Sequence, residues 1–285
     1  MRDVEERFFD LPGLRLAARY WPGEGRPILA LHGFLDNANS FVPLVEHLPN
    51  PVLALDFAGH GLSDHRAEDA HQSFFDHVSD VCQVARQLAW QDFILLGHSM
   101  GAGVASLVAA SRLLPLAELW LIDAIGPMAA SAETAGANFA SALAKQLEPR
   151  RAKPVYDSLE TAAGARTKGF GGLSIEASRL LCERSLEACD GGFTWRTDAR
   201  LRLPTLVYLD EAQVASLLRR IKTPTLLIKA MQGLGGQGVY KQRIELVRDI
   251  RVIELDGTHH LHMEQPHSVA AAFLQHHRRQ ADTTS

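Results

Sequence analysis

Short, mostly apolar runs recur along the chain at 27–31, 52–55, 93–96, 119–122, 225–228 and 252–255, and the stretches between them carry apolar residues at helical spacing. Runs of four or five apolar residues bounded by turn formers predict strands buried on both faces. Strands that alternate with helices predict a mostly parallel, doubly wound sheet, an α/β fold with helices on both sides. Helices are predicted over 73–90, 99–114, 239–247 and 265–277. The strand rhythm stops after Ile122 and resumes at Thr225. Between them lies an alanine-rich segment with helix-like stretches at 132–147, 155–165, 175–188 and 211–220, punctuated by Pro149, Pro154, the glycines of 169–172, Gly191-Gly192 and Pro204. This punctuation predicts a helical cap over 127–222, inserted into a core made of 1–126 and 223–285.

The run at 93–96 leads into Gly97-His98-Ser99-Met100-Gly101, followed by small residues with helical character. One serine therefore stands at a sharp strand-to-helix junction, where flanking glycines relieve the crowding and the hydroxyl points away from the sheet. Met100, next in line, presents its backbone N–H at a helix N-terminus. A serine hydroxyl is a poor nucleophile by itself, so a base must reach it and a third group must orient that base. Beyond the last apolar run the chain reads Asp256-Gly257-Thr258-His259-His260-Leu261-His262-Met263-Glu264, a histidine-rich loop that supplies candidates for the base.

Composition narrows the partners. A length of 285 residues with 46% hydrophobic content buries a sizeable core, and a net charge of −4 without a basic stripe argues against nucleic acid as a partner. The charged N-terminus has no apolar signal region, and no run reaches the length of a membrane-spanning helix. Cys82, Cys182 and Cys189 form no Cys-x-x-Cys pair and are expected to be reduced thiols of a cytoplasmic protein.

Four elements together resemble the α/β-hydrolase superfamily, in particular its capped serine esterases and serine hydrolase-like proteins. They are His32-Gly33-Phe34, Asp56-Phe57-Ala58-Gly59-His60-Gly61-Leu62-Ser63, the serine junction at Ser99, and Gly257-x-His259-x-x-His262-x-Glu264-x-Pro266. The resemblance implies an α/β-hydrolase fold, Ser99 as nucleophile and His259 as base, with His260 the nearest rival. It implies an oxyanion hole from the N–H groups of Phe34 and Met100, with His32, Gly33 and His98 beside the substrate. Asp56 and Ser63 are expected to be structural, and His262 a packing or capping residue.

The chain departs from the usual pattern at the acid, because Lys229-Ala230-Met231-Gln232-Gly233-Leu234-Gly235 holds no carboxylate. Some relatives place it at the end of the preceding core strand, where this chain has Asp123; Asp256, or no acid at all, are the alternatives. The implied activity is hydrolysis of a small or medium, partly apolar ester without metal or organic cofactor. Phe139, Phe170, Phe193, Trp195 and Tyr208 are candidates for an acyl pocket. A serine in place of an aspartate argues against haloalkane dehalogenase or epoxide hydrolase chemistry. Thioesterase and carbon–carbon hydrolase chemistry fit the same site.

Two other classes compete. Gly233-Leu234-Gly235-Gly236-Gln237-Gly238 spells Gly-x-Gly-x-x-Gly with Asp256 eighteen residues beyond, the outline of an NAD(P)-binding loop, although the glycines start several residues past the strand. A hydrolase fold retained as a non-catalytic binding protein is the other. A metal site in His259, His260 and His262 lacks a recognisable ligand spacing.

Overall fold

A computed structural model of the chain describes residues 2–150, 152–169, 171–234 and 238–284. The chain opens with an antiparallel hairpin, β1 (Glu5–Leu11) and β2 (Leu14–Trp21). Strands and helices then alternate as β3 (Ile28–Leu31), α1 (Val42–Val45), β4 (Val52–Leu55), α2 (Phe74–Leu88), β5 (Phe93–His98), α3 (Met100–Ser111) and β6 (Leu116–Ile122). The segment that follows holds α4 (Ala135–Leu147), β7 (Val155–Tyr156), α5 (Leu159–Thr167), α6 (Ile175–Ser185), β8 (Leu186–Cys189), β9 (Gly192–Trp195) and α7 (Glu211–Leu218). The chain closes with β10 (Thr225–Gln232), α8 (Gly238–Ile244), β11 (Ile250–Thr258), α9 (Leu261–Glu264) and α10 (Pro266–Thr284).

Eight strands form one sheet in the order β1-β2-β4-β3-β5-β6-β10-β11, parallel from β4 to β11. Every apolar run read from the sequence is a strand of it. Alternate residues of one strand serve opposite faces. Leu29, Leu31, Leu53, Leu55, Leu119 and Leu121 pack with α2 and α3 in one cluster. Ile28, Ala30, Val52, Ala54, Trp120 and Ile122 pack with α1 and α10 in the other. Burial on both faces is why these runs read as continuous apolar stretches. The hairpin β1–β2 was not foreshadowed, because the edge strand β1 mixes exposed Glu5 and Glu6 with buried Phe9 and Leu11.

Helix α2 shows how local signals set an element. Ser73 caps it by accepting from the Phe75 N–H, and His77, Asp80, Val81, Val84 and Ala85 form its buried stripe. Ala89, with φ of 52°, ends it.

Two features of the segment after β6 were not among the elements expected for a helical cap. Residues 155–156 and 186–188, read as helical, belong to a small antiparallel sheet in the order β7-β9-β8. Helix α7 is packed as a layer of the main core, since Val214 and Leu218 share a cluster with Leu121 and Ile125. Cys82, Cys182 and Cys189 are free thiols. Among the described residues no helix is long and apolar enough to cross a membrane.

Candidate active site

Parallel sheets gather functional groups at the carboxyl ends of their strands. Gly33 and Phe34 follow β3, Ser99 follows β5, Asp123 follows β6, and His259 follows β11. Ser99 has φ of 52° and ψ of −116°, a strained conformation for a residue with a side chain. Close packing holds it there. A Cβ at Gly97 would lie 2.5 Å from the Gly101 carbonyl oxygen, and one at Gly101 would lie 2.1 Å from that of Leu31. The two glycines thus let β5, α3 and the end of β3 approach closely enough to form the turn. Met100 is the first residue of the twelve-residue α3, so its N–H belongs to the unsatisfied donors of that helix end.

Asp123 is 1% exposed and holds a left-handed φ of 52°, which an aspartate tolerates better than most residues. One carboxylate oxygen accepts from the Ala230 N–H at 3.0 Å, and the other from the Leu234 N–H at 2.8 Å. The second oxygen also lies 2.7 Å from His259 Nδ1. The loop that lacks the usual acid therefore supplies backbone donors for an acid from the neighbouring strand. A Cβ at Gly233 would stand 2.1 Å from that same oxygen, so the glycine is required by Asp123. This accounts for the start of the Gly-x-Gly-x-x-Gly string; residues 235–237 lie outside the described residues. The rival acid Asp256 is exposed and accepts from Gln232 Nε2 at 3.0 Å.

The other histidines sort by partner. His260 is buried with Nε2 3.3 Å from Asp36 Oδ2, away from Asp123. His98 is fully buried and its Nε2–H donates to the His259 carbonyl at 2.9 Å, which steadies the loop carrying His259. Burial first, then the neighbouring His262, His259 and His260, pushes His98 well below the usual histidine range. His262 packs against His98 and Phe41, with ring centroids 4.2 Å and 5.5 Å away. His32 was expected beside the substrate, but its ring is fully buried and does not line the cavity over Ser99. There it donates from Nδ1 to the Gly33 carbonyl and accepts at Nε2 from the Phe57 N–H.

Several residues that the sequence did not single out tie the upper segment to the core. Arg166 on α5 bonds Asp36 at 2.6 Å. Arg184 on α6 bonds Asp56 at 2.7 Å and both oxygens of Glu6. Burial raises Asp56, and Arg184 with the Leu62 and Ala38 N–H groups opposes that rise. Burial would also raise Asp36, yet His260, Arg166 and His98 hold it well below the usual carboxylate range. Ser63 Oγ donates to the Asp56 carbonyl and accepts from the Ala17 N–H, a structural use of that loop.

A cavity of about 840 Å³ opens over these groups, with Ser99, His259, His260, Gly33, Phe34 and Asp36 on its core side. Of the aromatic side chains expected at an acyl pocket, Trp195 lines it, joined by Tyr156. Phe139 and Phe193 are exposed and do not line it, nor does Tyr208, and Phe170 lies outside the described residues.

The fold and this arrangement define an α/β hydrolase. The chain belongs to the alpha/beta hydrolase family, whose model matches residues 28–272. Among curated proteins it is 31% identical to a serine hydrolase-like protein of Danio rerio, over 96% of this chain and 89% of that one. It is 28% identical to serine hydrolase-like protein 2 of Homo sapiens, over 95% and 94% of the two chains. A solved structure of a hypothetical protein from Pseudomonas aeruginosa PAO1 is similar at a TM-score of 0.90 and 41% identity, covering 99% of this chain and 100% of that one. The thioesterase domain from the curacin biosynthetic pathway is similar at a TM-score of 0.85 and 26% identity, covering 96% and 100%.

Proposed function

We propose that the protein is a serine hydrolase that cleaves a carboxylic ester through an acyl-enzyme. Ser99 attacks the carbonyl carbon while His259 takes the hydroxyl proton. Asp123, bonded to Nδ1, keeps the imidazole lone pair on Nε2 and stabilises the imidazolium. The N–H groups of Phe34 and Met100 receive the oxyanion, and donors of this kind contribute about 3 kcal/mol each to such transition states. His259 then gives its proton to the leaving alcohol. Water, activated by the same imidazole, releases the carboxylic acid and restores Ser99. The observation that carries this reading is the 2.7 Å bond between His259 and Asp123 beneath a cavity that Ser99 also lines.

The test is a chromogenic ester panel of graded acyl length on the wild type and Ser99→Ala. Activity that disappears with the hydroxyl supports the proposal. A wild type that turns over no ester, and is not labelled by a serine-directed phosphonate, leaves a non-catalytic binding protein instead. Thioester hydrolysis on the same residues is a second reading, favoured by the similarity to the curacin thioesterase domain. The three free thiols support a reducing, cytoplasmic setting.

A further inference from the structure

The charge around the cavity runs against that of the chain. The whole sequence carries a net charge of −4, yet among the described residues seven lysines and arginines line the cavity against three carboxylates. Three of the seven cations have structural partners. Arg166 is bonded to Asp36, Arg200 to Asp198, and Lys153 to the Trp195 and Arg196 carbonyls. The side chains of the other four, Lys145, Arg150, Lys168 and Arg202, are exposed and form no hydrogen bond or ion pair with any described residue, and Glu148 is the one lining carboxylate left to oppose them. All four belong to the segment between β6 and β10, whereas Ser99 and His259 lie on the core side. Like charges gathered at a concave mouth above a low-dielectric floor repel one another and concentrate counter-ions there. In an otherwise acidic molecule this arrangement suits a ligand that brings negative charge.

Resting on the hydrolase reading, we infer that the ester or thioester turned over here carries an anionic group, a carboxylate or a phosphate, held by Lys145, Arg150, Lys168 and Arg202 while its carbonyl sits over Ser99. Two sources share this chemistry. The charge stands either on an acid-terminated acyl chain or on a phosphorylated thiol carrier that forms the leaving group.

Matched pairs distinguish them. On the acyl side, the 4-nitrophenyl half-ester of glutaric acid is compared with 4-nitrophenyl valerate. On the leaving-group side, butyryl coenzyme A is compared with the neutral N-acetylcysteamine thioester. The anionic member of at least one pair is expected to show a kcat/KM about tenfold higher at low ionic strength, with the advantage shrinking severalfold in 0.5 M NaCl as the Debye length shortens. The double variant Lys168→Gln with Arg202→Gln is expected to lose most of that ratio, chiefly through KM. A ratio near one for both pairs, or one that the double variant does not change, overturns the inference while Ser99-dependent turnover keeps the hydrolase reading. Titration of the Ser99→Ala protein with coenzyme A and with glutarate reads the anion site without chemistry. Binding weakened by the double variant supports the site even if no ester is cleaved, and no binding of either ligand overturns it.

Discussion

Asp123 is the residue on which the proposed chemistry turns, because its carboxylate meets three donors at once. Asn at this position has one acceptor oxygen in place of two and turns an N–H₂ toward either the backbone or the imidazole. The His259 tautomer is then wrong, and kcat is expected to fall by about 10⁴-fold. Ester turnover checks this, with thermal unfolding to show that the fold remains. Asp256→Asn is the control, expected to stay within about twofold of wild type because Asp256 is exposed and bonded to Gln232. Gly233→Ala probes the same carboxylate from the other side. Its Cβ would stand 2.1 Å from Asp123, so something must shift, and phosphonate labelling of Ser99 is expected to slow at least tenfold. The serine and the histidine-rich loop were legible in the sequence, since turn sterics and loop position are local properties. Asp123 over Asp256, and His259 over His260, were expected from the resemblance alone; that Asp123 and His259 lie within 2.7 Å of each other, with His260 on Asp36 instead, follows from which strand ends lie side by side.

Between elements, ion pairs hold α5 and α6 over the sheet. Arg184 bridges Asp56, behind β4, and Glu6 on the edge strand β1, so a single guanidinium joins three parts of the fold. Arg184→Met leaves the fully buried Asp56 carboxylate without its main partner, and such losses cost about 3–5 kcal/mol. Denaturant unfolding is expected to show that loss. The Asp36–Arg166 pair does for α5 what Arg184 does for α6, with His260 on the same carboxylate. None of these pairs was readable beforehand. Arg184 and Asp56 are 128 positions apart, and charged residues on an amphipathic helix look alike whether they face water or a buried partner. The small sheet β7-β9-β8 escaped for a related reason, since two- and four-residue strands are too short to show a period against a helical background.

Across the molecule, buried neutral histidines tie stability to pH. Burial lowers His32 to about 4 and His60 and His262 to about 3. In the unfolded chain each has an ordinary pKa near 6.5. Between those limits the unfolded state binds more protons than the folded one, so stability rises with pH. The contribution is complete above about pH 6.5 and is lost progressively as pH falls toward 3 to 4. The unfolding temperature is therefore expected to drop steadily from pH 7 to pH 4.5 in calorimetry; a flat profile contradicts the assignment. His262→Leu is expected to shallow that slope, and because neither ring nitrogen of His262 has a hydrogen-bond partner among the described residues, stability at neutral pH should hold or rise by about 1 kcal/mol.

The order of amino acids by itself specified the parallel sheet, the serine turn and the histidine loop. Apolar runs, glycine spacing and turn chemistry act over a few residues and leave their mark in order along the polymer. Assembly in three dimensions set Asp123 against His259, told four neighbouring histidines apart and brought Lys145, Arg150, Lys168 and Arg202 to the cavity that Ser99 lines. Each of those outcomes depends on groups brought together across long stretches of chain, 136 residues between Asp123 and His259, by strand order in the sheet.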